Sequence, residues 1–318
     1  MFPKFNIELL GVKSLLAALM ATLACLLSGG VLSAAPVYPD DVRVERDVNY
    51  LGKDRVENAD LYFPLNISRG GRLPAVLIIH GGGWNDGARD HPLQISIGAM
   101  LARNGYVAMS IDYKLSYGKF VVWPTNLYDC KNAVRWLRKN AGQLQIDPDR
   151  IGVIGESAGG HLASMVALTG ATGDLEPSGP YPGISDRVSC CVDMYGVADV
   201  STYEPRVSML GKKAAEAPEL YKIASPINYV CSNSPPFLIL HGTADKLVLP
   251  RQSEVFDKVL TKFGVEHRMV WVPGAPHAFG LNLPQQDLRP LVLDFFNRHL
   301  KDQAPVAPFP QTEQSGAH

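Results

Sequence analysis

From residue 75 onward, short apolar runs alternate with stretches of helical period, and this alternation constrains the fold more than any other feature of the chain. The run at 75–79 is continuously apolar, as a strand must be when a parallel sheet buries both of its faces. Segments 106–111, 151–154, 188–195, 237–240 and 267–272 read as further strands. Between them, 95–103, 126–140, 161–168 and 251–263 carry the period of helices, and 288–300 reads as a closing helix. Two alternating segments, 42–50 and 56–63, come before the first buried run and read as an antiparallel hairpin. The expectation is an α/β protein whose mostly parallel, eight-stranded sheet carries helices on both faces. With 318 residues, 46% of them hydrophobic and 19% charged, the chain can fill one large core. Segment 196–234 interrupts the alternation with Pro205, Pro218 and Pro226, and reads as a small cap insertion. No internal repeat is evident.

The two ends read differently from the middle. Lys4 and Lys13 precede an apolar stretch at 15–27, and 28–35 is rich in small residues, which together describe a secretory signal peptide over residues 1–35. Cleavage after Ala34 or Ala35 fits the small-residue rule. The apolar core is short for a spanning helix, although Val31 and Leu32 extend it towards the alternative of an uncleaved anchor. Leu23, Ala24 and Cys25 faintly resemble a lipoprotein box, but Thr22 fits its first position poorly. A single catalytic domain is expected over 36–303, and the Pro-rich 304–318 reads as a disordered tail. The expected localisation is secreted or periplasmic, with no stable membrane span once the signal is removed.

A formal net charge of −1 offers nothing to attract nucleic acid or an anionic membrane surface. The expected partner is a small-molecule or polysaccharide-linked substrate. Cys130, Cys190, Cys191 and Cys231 follow the signal, and their spacing is not that of a metal site. Cys190 and Cys191 read as buried small hydrophobes, with a bridge from either to Cys231 left open. Neither a metal nor an organic cofactor is expected. Asn66, Ile67 and Ser68 form a glycosylation sequon, relevant only in a host that glycosylates.

Gly155, Glu156, Ser157, Ala158 and Gly159 spell GxSxG between a strand-like and a helix-like run. Such a turn holds a serine in strained backbone with its hydroxyl exposed. A serine hydroxyl is a weak nucleophile until a base takes its proton, and the base needs a third group to fix its tautomer. Of the eight histidines, His80 belongs to a glycine loop, His161 to the helix behind the serine, His267 to the wrong end of a strand, and His299 and His318 to the C-terminal helix and tail. Position sets most of them aside, and His277, in a turn-rich loop after the last strand, is the expected base. Asp245, after the preceding strand, is the expected acid, with Asp193 and Asp199 as rivals; its order after the serine and before the histidine favours it. His80, Gly81, Gly82, Gly83 and Trp84 follow the third strand. Glycines there let backbone amides approach a developing negative charge, which makes Gly82, Gly83 and the amide of Ala158 the expected oxyanion donors.

These motifs resemble the α/β-hydrolase esterases that carry an HGGGW signature. The closest likeness is to the bifunctional feruloyl and acetyl-xylan esterases, near the hormone-sensitive-lipase-like enzymes. The resemblance runs from about residue 56 to 300 and includes Ser110 to Tyr113, Asp129, Asp147, His161, Tyr195 with Gly196, and Ser234 to Phe237. It implies an α/β-hydrolase fold and a serine carboxylesterase acting through Ser157, Asp245 and His277 on short-acyl or aryl esters, with acetyl or feruloyl groups of plant polysaccharide as substrate class. Trp84 and Tyr113 are expected to line the acyl pocket. Lys114 departs from the family's usual arginine and is expected to pair with Asp112. An arylformamidase with a similar loop and triad, and a hydrolase-like protein that only binds, are the alternatives.

Overall fold

The computed structural model describes residues 35–66, 71–117, 120–177, 179–203 and 207–301. The expected signal at 1–35 and tail at 304–318 lie outside the described residues but for Ala35, as do Ile67 and Ser68 of the sequon. The chain divides into compact units at Val37 and Tyr38, and the second carries everything that follows.

Eight strands form one sheet: β1 (Arg43–Val48), β2 (Ala59–Phe63), β3 (Leu73–Ile79), β4 (Val107–Ile111), β5 (Ile146–Glu156), β6 (Cys190–Met194), β7 (Phe237–Gly242) and β8 (His267–Val272). Their spatial order is β1-β2-β4-β3-β5-β6-β7-β8. The β1–β2 and β2–β4 pairs are antiparallel and every later pair is parallel. The expected hairpin therefore forms one edge of the sheet. β5 starts earlier than its apolar run, because Ile146 pairs with Leu73 and the intervening Asp147, Pro148 and Asp149 continue the strand past a register shift. A hydrophobic pattern cannot reveal backbone pairing in so polar a segment.

β3 shows why both faces must be covered. Ala75, Leu77 and Ile79 join the hydrophobic cluster on one face, with Leu127 and Val134 from helix α2 (Thr125–Lys139) and Leu162 and Met165 from α3 (Ala158–Thr172). Val76 and Ile78 join the cluster on the other, with Ile97 and Leu101 from α1 (Pro92–Arg103) and Val292 and Phe296 from the C-terminal helix, Arg289–Leu300. Alternate strand residues point to opposite faces, so each apolar side chain of β3 has a helix above or below it. Burying one such Leu or Ile stabilises the fold by about 1.5–3 kcal/mol. α3 is buried nearly all round, since it packs on the sheet with one side and under the cap with the other.

The cap expected at 196–234 contains 3-10 turns at Val200–Thr202, Ser208–Leu210 and Pro226–Tyr229 and the short helix α4 (Pro218–Ile223). Its Val200, Val207, Met209 and Leu210 are buried, so the insertion has a core continuous with the sheet's. Cys130, Cys190, Cys191 and Cys231 are all free thiols, which excludes the bridge left open above. No helix among the described residues is long and apolar enough to cross a membrane.

Candidate active site

The backbone of Ser157 has φ 55° and ψ −118°, a region that strains any residue with a Cβ. Two bonds hold it there: the Ser157 amide donates to the Met194 carbonyl at 2.8 Å, and its own carbonyl accepts from the His161 amide at 3.0 Å. The flanking glycines are required by space. A Cβ on Gly155 would lie 2.1 Å from the Gly159 carbonyl oxygen, and one on Gly159 would lie 2.1 Å from that of Ile79. Gly159 thus lets the first turn of α3 sit directly on the end of β3, where the glycine loop begins. Gly159→Ala is expected to destabilise the protein by about 3 kcal/mol, a fall in Tm of roughly 6–12 °C in a thermal melt. An unchanged Tm would show that the helix has room to move.

His277, in the loop after β8, brings its Nε2 within 2.9 Å of Ser157 Oγ and its Nδ1 within 2.7 Å of Asp245 Oδ2. A carboxylate can only accept, so Nδ1 carries the proton and Nε2 is left to accept from the serine. Asp245 follows β7, and its Oδ1 accepts from the amides of Leu247 and Val248 at 2.9 and 3.0 Å. Burial opposes ionisation of this carboxyl, yet hydrogen bonds from His241, His277 and the Leu247 amide hold it well below the usual carboxylate range. Ser157, Asp245 and His277 therefore form one hydrogen-bonded line. The rival Asp193 is engaged elsewhere: it accepts from the Gly196 amide at 2.8 Å and from Ser164 Oγ at 3.3 Å, and burial pushes it up to about 6. Asp199 caps the turn after it by accepting from the Ser201 amide at 3.0 Å.

In the glycine loop, Gly82 and Gly83 have φ of +102° and +58°. Both Asn85 and Asp86 donate their amides to the Gly82 carbonyl, at 3.1 and 3.0 Å, and a Cβ on Gly82 would collide with Asp86. Among the described residues, no protein acceptor takes the amides of Gly82, Gly83 or Ala158. They remain available to a substrate oxygen. The cap touches this loop directly, since Ser208 Oγ donates to the Gly83 carbonyl at 2.6 Å.

Trp84 and Tyr113, expected at the acyl pocket, are core residues instead, 2% and 1% exposed. Their polar atoms are turned inward: Trp84 Nε1 donates to His161 Nδ1 at 3.2 Å, and Tyr113 donates its hydroxyl to the His80 carbonyl at 3.0 Å. The expected Lys114–Asp112 pair is also absent. Arg89 takes Asp112 and also Asp60, while Lys114 Nζ lies 3.3 Å from Glu57. With Asp47 on its other terminal nitrogen, one guanidinium serves three carboxylates at fixed angles, which the point charge of a lysine cannot do.

Three supporting residues make contacts that the sequence does not show. Tyr195 sets its ring edge-on to His277, with centroids 5.0 Å apart, and ties its hydroxyl to the Phe279 carbonyl at 2.8 Å, which braces the histidine loop. His161 links the helix behind the serine to the glycine loop through Trp84 and to the cap through the Ala224 carbonyl, 2.7 Å from Nε2. Its burial lowers the imidazole to about 4, so it stays neutral and can serve both partners. Glu156, beside Ser157, accepts from the Gly81 amide at 2.7 Å. Motif likeness marks these positions, but only contacts show what each one touches. No cluster of ligands able to hold a metal ion occurs among the described residues.

A serine on a strained turn between a parallel strand and a buried helix, on a sheet of this order, defines the α/β-hydrolase class. The BD-FAE family model matches residues 59–260, and the chain belongs to that family. That match includes the glycine loop, Ser157 and Asp245. Esterase LipQ of Mycobacterium tuberculosis is 31% identical over 245 residues, covering 74% of this chain and 57% of that protein. The chain spans little more than half the length of the curated relatives it matches. Among solved structures, a truncated carbohydrate esterase from gut microbiota superposes with a TM-score of 0.73 at 31% identity, covering 82% of this chain and 98% of that one. An acetyl ester-xyloside bifunctional hydrolase from Caldicellulosiruptor lactoaceticus superposes at 0.64 and 30% identity, covering 76% of this chain and 88% of that one.

Proposed function

We propose that this chain is an exported serine carboxylesterase that cleaves short-acyl or aryl esters, with acetyl and feruloyl esters of plant polysaccharide as its substrate class. The observation that carries the reading is the line from Ser157 through His277 to Asp245, at 2.9 and 2.7 Å, beside three unclaimed amides. Ser157 Oγ attacks the ester carbonyl carbon while His277 Nε2 takes its proton. The carbonyl oxygen gains negative charge and is received by the amides of Gly82, Gly83 and Ala158, where one well-placed donor is worth about 3 kcal/mol in the transition state. The imidazolium, stabilised by Asp245, returns the proton to the departing alcohol oxygen and leaves an acyl-serine. Water then repeats the sequence with His277 as base, releasing the acid and the free serine. Export rests on the signal-like pattern of residues 1–35, and an amino-terminal sequence of the mature protein beginning near Pro36 is its test.

The size of the acyl group follows from the cap. Met209 and Leu210 are buried against the body of the protein, and Met209 accepts at its carbonyl from the amides of Val122 and Trp123, both at 3.2 Å. Apolar cap surface is thus spent on the core rather than on a trench for a fatty chain. A deep pocket would add up to about 0.8 kcal/mol, or roughly fourfold in kcat/KM, for each methylene buried. Activity on p-nitrophenyl esters is expected to peak between acetate and butyrate and to fall by octanoate, without activation at a lipid interface. A profile still rising at decanoate would point to a lipase. In the same assay series, acetylated xylan and methyl ferulate are expected to be cleaved and N-formylkynurenine to be left intact; the reverse would make the protein an arylformamidase.

A further inference from the structure

Glu156 immediately precedes the nucleophile, and its carboxylate reaches across to a different strand end. Oε1 accepts from the amide of Gly81 at 2.7 Å and from Gln94 Nε2, on α1, at 3.3 Å. Gln94 is 1% exposed, so its amide has been taken out of water to meet this oxygen. The fit is tight on the other side as well, because a Cβ on Gly81 would lie 2.5 Å from Glu156 Oε2. Gly81 and Glu156 therefore specify each other. The next two residues of the loop are Gly82 and Gly83, whose amides the proposed mechanism uses.

From this geometry we infer that Glu156 is a positioning residue: through the Gly81 amide it sets the distance between the oxyanion loop and Ser157. The inference rests on the proposed esterase reading for its kinetic consequence, but not for its structural one. β3 and β5 are neighbours whose paired ends, Ile79 and Gly155, leave the sheet in register, and the following residues turn away from each other into a loop and a helix. Backbone pairing ends there. A side chain from one element bonded to the backbone of the other extends the alignment by the two residues that matter. Burial pushes the Glu156 carboxyl up, while the Gly81 amide and Gln94 favour its charged form. His277, His91, Tyr113 and Tyr195 also feel this charge, so a purely electrostatic role is the competing account.

Two substitutions of similar volume separate reach from charge. Glu156→Gln keeps an oxygen for the Gly81 amide and removes the charge; Glu156→Met removes both. With the p-nitrophenyl acetate assay, Glu156→Gln is expected to hold kcat within about threefold, and Glu156→Met to lower it about thirtyfold with KM within twofold, since the donors are displaced rather than lost. Affinity for a trifluoromethyl ketone should fall in step with kcat. Hydrogen exchange followed by mass spectrometry over residues 78–86 should rise about tenfold in Glu156→Met and hardly at all in Glu156→Gln, whether or not the protein hydrolyses esters. Should the Met variant fail to fold, Glu156→Ala carries the same expectations. Equal losses in the Gln and Met variants, a loss confined to KM, or unchanged exchange in the apolar variants would each overturn the positioning role. A wild-type protein inactive on every ester but showing the exchange difference would overturn the function and leave the positioning intact.

Discussion

Replacement of Ser157 by alanine is expected to lower kcat by about six orders of magnitude, to the rate supplied by binding and oxyanion contacts alone. The expectation follows from the backbone. Ser157, at φ 55°, is the serine on the strand-to-helix turn, and the one to whose oxygen His277 Nε2 comes within 2.9 Å. Its side chain is small and makes no packing contact that alanine cannot keep, so Tm should hold within a few degrees. Covalent labelling by an organophosphate should vanish in the same variant. Labelling that persists at another serine would remove Ser157 from the mechanism.

Asp245→Asn should come next in size, with kcat lower by about four orders of magnitude and the fold intact. Asparagine is nearly isosteric, and its oxygen can still accept from the amides of Leu247 and Val248. Its NH₂ group, however, would face His277 Nδ1. Two donors cannot pair, so the ring is driven to the tautomer with its proton on Nε2, facing a serine that needs an acceptor. Asp193→Asn gives the contrast. Asp193 holds Gly196 and Ser164 and lies outside the line to His277, so its loss should appear in thermal stability far more than in kcat. A larger kinetic loss at Asp193 than at Asp245 would reverse the assignment of the acid.

Comparison of these two aspartates shows how much of the site was legible in the chain. Asp193 lies near the end of β6 and Asp245 follows β7, and both stand between the serine and the histidine in sequence. Chain order favours Asp245, and the hydrogen-bond partners of each give that preference its reason. Trp84 shows the opposite case. An aromatic residue after a glycine loop reads equally well as pocket lining or core, and its inward rotation depends on His161, 77 residues away. Lys114 stands two residues from Asp112, yet Arg89 reaches that carboxylate from the loop that follows the glycines.

Local physics is written in the residues: which runs are buried on both faces, where the elbow must turn, and where glycine is needed for a backbone that other residues adopt only under strain. Strand and helix period, turn chemistry and the order of serine, acid and histidine all belong to this kind. The pairings emerge only in the folded chain: β4 between β2 and β3, β5 beside β3, the cap serine on Gly83, and Glu156 on the amide of Gly81, 75 residues earlier. Those contacts join residues far apart in the chain. They arise from the order in which strands assemble and the direction in which each loop leaves the sheet, and neither leaves a periodic trace in the residues themselves.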